Sequence, residues 1–201
     1  MFYTVLCAAH MIVNMIEERL FPMNPRASTL ISVYKGWDGY QTSLVQAIAP
    51  RLREQLIWRP APHLRSAGEI ARHISAGRVD WFHRTFGEES IAAARRVASW
   101  EEDNAIQEDS AELVAGLEVS WRMVEKALSR WTVADLDQTY PLTFQGTNYA
   151  LPRQWILWRV MAHDLHHGGE LAVTLGMQGV NLPELGDEGG HLTPPPLADP
   201  T

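Results

Sequence analysis

The clearest periodicity in the chain lies in residues 110–131, SAELVAGLEVSWRMVEKALSRW. Apolar residues recur there three or four positions apart, at Leu113, Leu117, Trp121, Val124, Leu128 and Trp131. Side chains at these separations are neighbours on a helix surface, so the spacing predicts an amphipathic helix with one apolar face. Asp109-Ser110-Ala111-Glu112 precedes this face and has the residues of a helix-capping pattern, with Asp109 or Ser110 as the first residue.

Three more helices are predicted from similar patterns. The first runs from about Ser28 to Ile48, before Pro50, and its inward face is predicted to carry Leu30, Tyr34, Trp37, Gln41, Leu44 and Ile48, spaced three or four apart. The second begins at the capping box Ser66-Ala67-Gly68-Glu69 and buries Ile70, His73, Ile74, Gly77 and Trp81. The fourth starts near Leu151-Pro152 and ends at Gly176 or Gly179, with Trp155, Trp158, Ala162, Leu165 and Leu175 on its apolar face.

Strand patterns are scarce, which makes the predicted fold class all-α. Residues 140–144 and 147–150 flank Gln145-Gly146 and predict a small hairpin before the last helix. Four helices with one apolar face each are most economically packed as a four-helix bundle. The connections 89–108 and 133–151 exceed the roughly 2–8 residues of an up-and-down bundle, so long crossover loops are expected.

The domain prediction places the bundle in residues 28–180, an N-terminal extension in 1–27 and a flexible Gly/Pro-rich tail in 181–201. Residues 2–16 are apolar, but they lack a basic flank and are shorter than the roughly 20 residues that a membrane span needs. Residues 1–22 are read either as an extension upstream of a start at Met23 or as a short packed helix. Export or membrane attachment through residues 2–16 is a weaker alternative.

Composition limits the classes of function. With 46% hydrophobic residues the chain can form a real core. A net charge of −7 argues against nucleic-acid binding. The single cysteine, Cys7, allows neither an internal disulfide nor a thiolate zinc site. Any metal must therefore be held by His and carboxylate groups.

Histidines in two predicted helices are candidate metal ligands. His163 and His167 lie one helical turn apart and project from one face. His73 lies on the apolar face of the second helix and can join them only if the second and fourth helices are neighbours. Three neutral imidazoles would leave part of a metal's coordination shell open, as in catalytic sites. The alternative for each histidine is a core residue hydrogen-bonded to backbone or to a buried carboxylate.

The chain resembles the DinB/YfiT-like family of bacterial four-helix bundles from about Thr29 to Gly179. The resemblance rests on Gly36-Trp37-Asp38-Gly39-Tyr40, on His73 within residues 68–74, and on His163-x-x-x-His167-Gly-Gly-Glu170. It implies that His73, His163 and His167 bind a divalent ion, nickel or zinc in most of the family. The usual family ending after the last His is Arg-Gly-Gln, and here it is Gly168-Gly169-Glu170.

The resemblance also implies a range of chemistry. Family members include thiol S-transferases that use bacillithiol or mycothiol, a mycothiol-dependent maleylpyruvate isomerase, and hydrolase-like proteins. A divalent ion on neutral imidazoles lowers the pKa of a thiol or a water, which connects these activities. Gly168 removes a cation that could bind an anionic substrate. Family members commonly form homodimers, which the resemblance extends to this chain.

Two further sets of residues are candidates near the histidines. Glu170 is predicted as an acceptor for an imidazole N–H, a fourth ligand or a general base, with a solvated carboxylate as the alternative. Trp37, Tyr40 and Trp81 are predicted to line an apolar substrate pocket, with ordinary core packing as the alternative. His166 lies off the face that His163 and His167 share, so a surface role is expected for it.

The leading functional hypothesis is a cytoplasmic metal-dependent enzyme. A divalent ion, zinc or nickel, would activate a thiol or a water for transfer to, or hydrolysis of, a small molecule, with a low-molecular-weight thiol as co-substrate. No nucleic-acid or membrane partner is expected. The competing hypothesis is a non-catalytic helical bundle that forms an oligomer and binds metal, or uses its histidines, only for structure.

Overall fold

The computed structural model describes residues 29–87, 96, 97, 100, 109–182, 184 and 185. The predictions for residues 1–27, for most of the connection 89–108 and for most of the tail 181–201 lie outside these residues. The helices are α1 (Leu30–Val33), α2 (Lys35–Ile48), α3 (Arg53–Ile57), α4 (Ala67–Val79), α5 (Ser110–Leu128) and α6 (Arg153–Gly176). A π-helical turn, Asp80–Thr85, extends α4, and a 3-10 turn, Val133–Asp137, precedes strands β1 (Thr139–Phe144) and β2 (Thr147–Pro152).

The helix starts confirm the capping patterns in the sequence. At α4 the Ser66 hydroxyl accepts from Glu69 N at 3.3 Å, and the Glu69 carboxylate accepts from Ser66 N at 2.8 Å. At α5 the first residue of the cap is Asp109, whose carboxylate accepts from Ala111 N at 2.8 Å. Such caps satisfy N–H groups that have no partner within the helix. The predicted first helix is divided at Tyr34 into α1 and α2.

The last helix is in the predicted place, but of its predicted apolar face only Leu175 is buried. Trp155, Trp158 and Leu165 are 45%, 58% and 42% exposed. The face that packs inward consists of Arg153, Ile156, Leu157, Val160, Asp164, His167, Gly168, Leu171, Thr174 and Leu175. In the sequence, the large aromatic residues indicate a different face from the buried one. The reason is that the charged residue Asp164 lies at the centre of the buried face and interrupts its apolar pattern.

The predicted hairpin is confirmed. β1 and β2 pair antiparallel from Thr139 opposite Pro152 to Phe144 opposite Thr147. The two turn residues both have positive φ, 49° at Gln145 and 77° at Gly146. That combination defines the tight turn that matches the twist of paired strands, and glycine adopts it without steric cost. Arg153, the first residue of α6, anchors the hairpin by donating to Gln138 Oε1 at 2.7 Å and to the Tyr140 hydroxyl.

The long helices bury one shared core. α4 packs on both α5 and α6, and α2 contacts α4, α5 and α6. The apolar face predicted for α5 is buried throughout, from Leu113 to Leu128 and on to Trp131. In the predicted tail, Leu182 packs against this core and Leu185 is buried in it. A mostly helical fold with a small hairpin is confirmed, while the four-helix-bundle class stays a prediction.

Among the described residues, no helix has both the length and the apolar character needed to cross a bilayer.

Candidate metal centre

The contact between α4 and α6 brings the three predicted histidines together. His73 projects from α4, and His163 and His167 project from adjacent turns of α6. One ligand nitrogen from each residue lies within 4.8 Å of the others. His163 Nε2 and His73 Nε2 are 3.1 Å apart, and the ring centroids of His73 and His167 are 4.5 Å apart. α4 and α6 are the second and fourth predicted helices, so the neighbouring arrangement that a three-histidine site requires is present.

The spacing of two of these nitrogens, those of His73 and His163, suits a shared metal ion. Zinc binds imidazole nitrogen at about 2.0–2.1 Å, so two such ligands on one ion lie about 2.9–3.4 Å apart for angles between about 90° and 109°. The 3.1 Å between His73 and His163 falls within that range. His163 and His167 are largely shielded from solvent, with 12% and 9% of their side-chain surface exposed. The three imidazoles therefore converge on one point, and two of them are largely shielded from solvent.

Glu170 lies behind His167 and orients its ring. His167 Nδ1 and Glu170 Oε2 are 2.7 Å apart. Burial lowers the pKa of His167 to about 4, more than the hydrogen bond to Glu170 raises it. Burial raises the pKa of Glu170, but the hydrogen bond from His167 and the nearby charges outweigh it and leave that pKa lowered. At neutral pH Glu170 is thus a carboxylate that accepts Nδ1–H, and the Nε2 lone pair of His167 is free for a metal.

A glycine on α4 makes room for His163. A Cβ added at Gly77 would lie 2.7 Å from His163 Cε1, closer than real Cβ atoms approach, and 3.2 Å from Nε2, which is a tight contact. The imidazole therefore occupies the space that a side chain at position 77 would fill. Gly77 follows His73 by one helical turn, so the same face of α4 supplies one histidine and the gap for another.

The Gly77→Ala variant is expected to bind Zn²⁺ at least about 10-fold more weakly, because displacing a ligand should cost no less than losing one of its supporting contacts. Affinity would be measured by competition with a chromophoric chelator. Gly36→Ala is the matched control, since a Cβ added at this other helical glycine meets nothing within 4 Å. Equal affinities for Gly77→Ala and wild type would show that His163 does not need this space.

A buried ion pair lies directly beside the histidines. Arg78 Nε donates to Asp164 Oδ2 at 2.8 Å, and both side chains have 0% exposure. Trp37 Nε1 donates to the same Oδ2 at 2.7 Å, and Arg78 Nη1 donates to Gln41 Oε1 at 2.6 Å. This group, called the Arg78–Asp164 network below, joins α2, α4 and α6. This network is not predicted from the sequence, although Arg78 and Asp164 stand one turn from the apolar residues Ile74 and Val160 respectively.

The predicted pocket residues lie in two different environments. Trp37 and Tyr40 are buried, with Trp37 bonded to Asp164 and the Tyr40 hydroxyl 3.2 Å from the carbonyl oxygen of Leu165. Burial raises the pKa of Tyr40, with the Asp164 charge as a second cause. Trp81 is half-buried and contacts the exposed Trp155 edge to face. Their role as pocket residues stays a prediction.

A cavity of about 680 Å³ is lined by Glu170 and His166, and none of His73, His163 and His167 is among its lining residues. Glu170 thus contacts His167 and also lines open space. The cavity wall combines apolar side chains with ionisable ones, and consists of Pro60, His63, Leu64, Arg65, Ile70, His166, Gly169, Glu170, Val173, Thr174 and Met177. A volume of this size is typical of small-molecule sites.

His166 lies at the edge of the site. Its side chain is 67% exposed, and its Nε2 is 3.3 Å from Glu170 Oε1. His166, His167 and Glu170 form a second group of potential metal ligands that shares His167 with the first group. The first group is the less exposed and carries three nitrogen donors, so it is the stronger candidate for a divalent transition metal.

Comparisons with known proteins identify a matching family and two structures with a similar fold. Residues 39–171 match the DinB superfamily. The structure is similar to that of a DinB-like protein from Bacillus cereus ATCC 10987, with 20% identity and a TM-score of 0.62 over 78% of this chain and 97% of that chain. It is also similar to a DinB-like protein, YjoA, from Bacillus subtilis, with 18% identity and a TM-score of 0.52 over 73% of this chain and 92% of that chain.

No curated protein matches the chain in sequence. The structural similarities, at 20% and 18% identity, establish the fold and nothing about activity. The superfamily match spans the region from α2 to α6 and includes His73, His163 and His167. The chain therefore belongs to the DinB superfamily.

Proposed function

We propose that the protein is a metal-dependent enzyme. In this proposal His73, His163 and His167 hold a divalent ion that activates a thiol or a water for transfer to, or hydrolysis of, a small molecule. The observation that carries it is the convergence of three imidazoles from two helices, with His73 Nε2 and His163 Nε2 3.1 Å apart. The orientation of His167 by Glu170 supports it, because metal-binding imidazoles commonly donate their other N–H to a carboxylate.

The number of ligands supports catalysis over a purely structural role. Structural zinc sites usually close with four protein ligands, whereas catalytic sites use three and leave a position for a reactant. A bound divalent ion would supply the positive charge that lowers the pKa of a thiol or a water to near neutrality. The protein would keep three neutral nitrogens fixed around that charge. Zinc and nickel both suit imidazole ligands, and we propose one of them.

The cavity beside Glu170 supports a small molecule as substrate. Its apolar wall, formed by Leu64, Ile70, Val173 and Met177, can cover an apolar group. Arg65 lines the same cavity and supplies a cation, in a chain that has Gly168 where the family resemblance implies Arg. Glu170 reaches both this cavity and His167, so it is the proposed proton acceptor for a reactant bound there.

The family resemblance extends the proposal in three respects. A low-molecular-weight thiol such as bacillithiol or mycothiol would be the co-substrate of a transfer reaction. The protein would act as a homodimer, and it would act in the cytoplasm. The net charge of −7 supports a small-molecule partner over nucleic acid, since an acidic surface repels phosphates.

Elemental analysis of untagged protein tests the metal site. We expect about one equivalent of a divalent metal per chain in the wild type, and its loss from His73→Ala, His163→Ala and His167→Ala. His83→Ala is the matched control, because His83 is exposed and lies outside the cluster. Far-ultraviolet circular dichroism on each variant separates loss of metal from loss of fold.

The reaction is tested with the same proteins. Metal-loaded wild type would be screened for thiol transfer and for ester or amide hydrolysis, with His163→Ala as the inactive reference. Absence of metal from the wild type after reconstitution with Zn²⁺ and Ni²⁺ would contradict the proposal and favour the non-catalytic helical bundle. A metal-loaded protein inactive in both screens would retain the metal site and exclude these two reaction classes.

A further inference from the structure

Two buried polar atoms next to the metal site have no hydrogen-bond partner among the described residues. They are His163 Nδ1 and Asp164 Oδ1, and they lie 3.8 Å from each other. Most buried polar atoms in proteins are hydrogen-bonded, so a neighbouring pair without partners needs an explanation. This distance exceeds the upper end of the usual N–H···O hydrogen-bond length, about 3.2 Å, by less than about 1 Å.

Metal binding would decide which of the two atoms is the donor. An imidazole binds a metal through a nitrogen without a proton, so a neutral ring then carries its proton on the other nitrogen. His163 faces His73 through Nε2, at 3.1 Å. A metal on Nε2 therefore requires the proton of His163 to sit on Nδ1, beside the Asp164 carboxylate.

The other carboxylate oxygen holds Asp164 in place. Oδ2 accepts from Trp37 Nε1 at 2.7 Å and from Arg78 Nε at 2.8 Å. These two donors come from α2 and α4, and the carboxylate has no exposed surface. The side chain cannot turn away from His163 without leaving both donors unpaired, which is costly in a buried site. Oδ1 is consequently fixed toward the imidazole.

We propose that Asp164 is a positioning residue for the metal site. Its negatively charged Oδ1 faces Nδ1 of His163 at 3.8 Å and so favours a proton on Nδ1, the tautomer that presents Nε2 to a metal. This inference rests on the proposed function, since the tautomer matters only if His163 is a ligand. Asp164 would then do for His163 what Glu170 does for His167, with one carboxylate for each histidine of α6.

Asparagine at this position should reverse the tautomer. The donors Trp37 Nε1 and Arg78 Nε would hold the amide oxygen of the new side chain where Oδ2 is now. The amide NH₂ would then face His163 Nδ1 and donate to it. That hydrogen bond favours the proton on Nε2, which blocks the nitrogen that faces His73. Asp164→Asn would thus keep the size of the side chain and invert its effect on the ring.

The first test reads the tautomer without a metal. Long-range ¹⁵N–¹H NMR of the metal-free protein distinguishes a proton on Nδ1 from one on Nε2. We expect His163 to carry the proton on Nδ1 in the wild type and on Nε2 in Asp164→Asn. Asp38→Asn, at an exposed aspartate of α2, is the matched control and should leave the tautomer unchanged. A His163 proton that stays on Nδ1 in Asp164→Asn would overturn the inference.

The second test measures Zn²⁺ affinity by chelator competition. We expect Asp164→Asn to weaken binding about 10–100-fold, the usual cost of losing a ligand's supporting hydrogen bond. Asp164→Ala should weaken it less, because alanine removes the acceptor without imposing the wrong tautomer. If Asp164 had only a structural role, Asp164→Ala would bind Zn²⁺ more weakly than Asp164→Asn, because alanine also leaves Arg78 buried without its partner.

The outcomes separate this inference from the proposed function. Wild-type metal binding with unchanged affinity in Asp164→Asn would overturn the inference and leave the metal site standing. A wild type that binds no metal, while its tautomer still depends on Asp164, would overturn the proposed function and retain the control of His163 by Asp164. An unchanged tautomer and no metal would overturn both.

Discussion

Arg78→Met is expected to lower the free energy of unfolding of the metal-free protein by about 3–5 kcal/mol. The reason is that Asp164 would remain buried with its charge uncompensated, since both side chains of the pair have no exposed surface. Gln41 would lose its donor as well, because Arg78 Nη1 is 2.6 Å from Gln41 Oε1. Methionine fills a similar volume, so the loss would reflect charge and hydrogen bonding more than packing.

Denaturant unfolding followed by circular dichroism measures this effect. The double variant Arg78→Met/Asp164→Leu should recover most of the lost stability, because removing both charges also removes their desolvation cost. Arg122→Met is the matched control, since Arg122 of α5 is 59% exposed and its ion pair with the exposed Glu118 spans 3.7 Å. A loss of less than about 1 kcal/mol in Arg78→Met would contradict this expectation. It would show that the buried pair contributes no more to stability than a surface ion pair does.

Gly168→Ala is expected to destabilise the metal-free protein by about 1–3 kcal/mol, as overpacking in a core does. An added Cβ at this position would lie 1.9 Å from the Tyr40 hydroxyl oxygen and 2.7 Å from Tyr40 Cζ. Tyr40 is buried and donates to the carbonyl oxygen of Leu165, so its ring cannot move aside freely. The clash should exceed the roughly 1 kcal/mol that alanine gains over glycine within a helix.

Its control is the next residue. A Cβ added at Gly169 meets nothing within 4 Å, and Gly169 lies in the same helix, so Gly169→Ala should be neutral or slightly stabilising. Thermal unfolding of both variants, with Tyr40→Phe as a background that removes the hydroxyl, measures the difference. Equal stability of the two alanine variants would show that Tyr40 yields easily. By the same clash, Gly168→Arg, which introduces the residue that the family resemblance implies, should not be accommodated without moving Tyr40.

Local patterns predicted the parts of the fold that depend on neighbouring residues. The capping box of Ser66 and Glu69, the apolar face of α5 and the turn at Gln145-Gly146 each follow from a few adjacent positions, and each is present. The inward face of α6 could not be predicted in this way. Its centre is Asp164, whose charge is normally a mark of the solvent side, and only the donors from Trp37 and Arg78 make its burial tolerable.

In the candidate site, too, the residues that follow from local spacing were predicted and those that depend on long-range pairing were not. The one-turn spacing of His163 and His167 follows from helix geometry, and His73 was placed by its position on an apolar face. Glu170 as acceptor for the imidazole N–H of His167 was among the predicted roles, and the two are 2.7 Å apart. Arg78 was missed because a lone arginine suggests a solvated residue. Opposite charges on the apolar faces of two helices, at 78 and 164, are the pattern that could have indicated their pairing.

The Arg78–Asp164 network also bears on the order in which the chain folds. Its bonds to Asp164 join residues 86 and 127 positions apart in sequence, and closing such long loops is entropically slow compared with forming single helices. We infer that the network closes late, after α2, α4 and α6 have formed and docked. The imidazoles beside it would acquire their final arrangement at the same late step, so a metal would meet a nearly native chain and would not act as a nucleus for its folding.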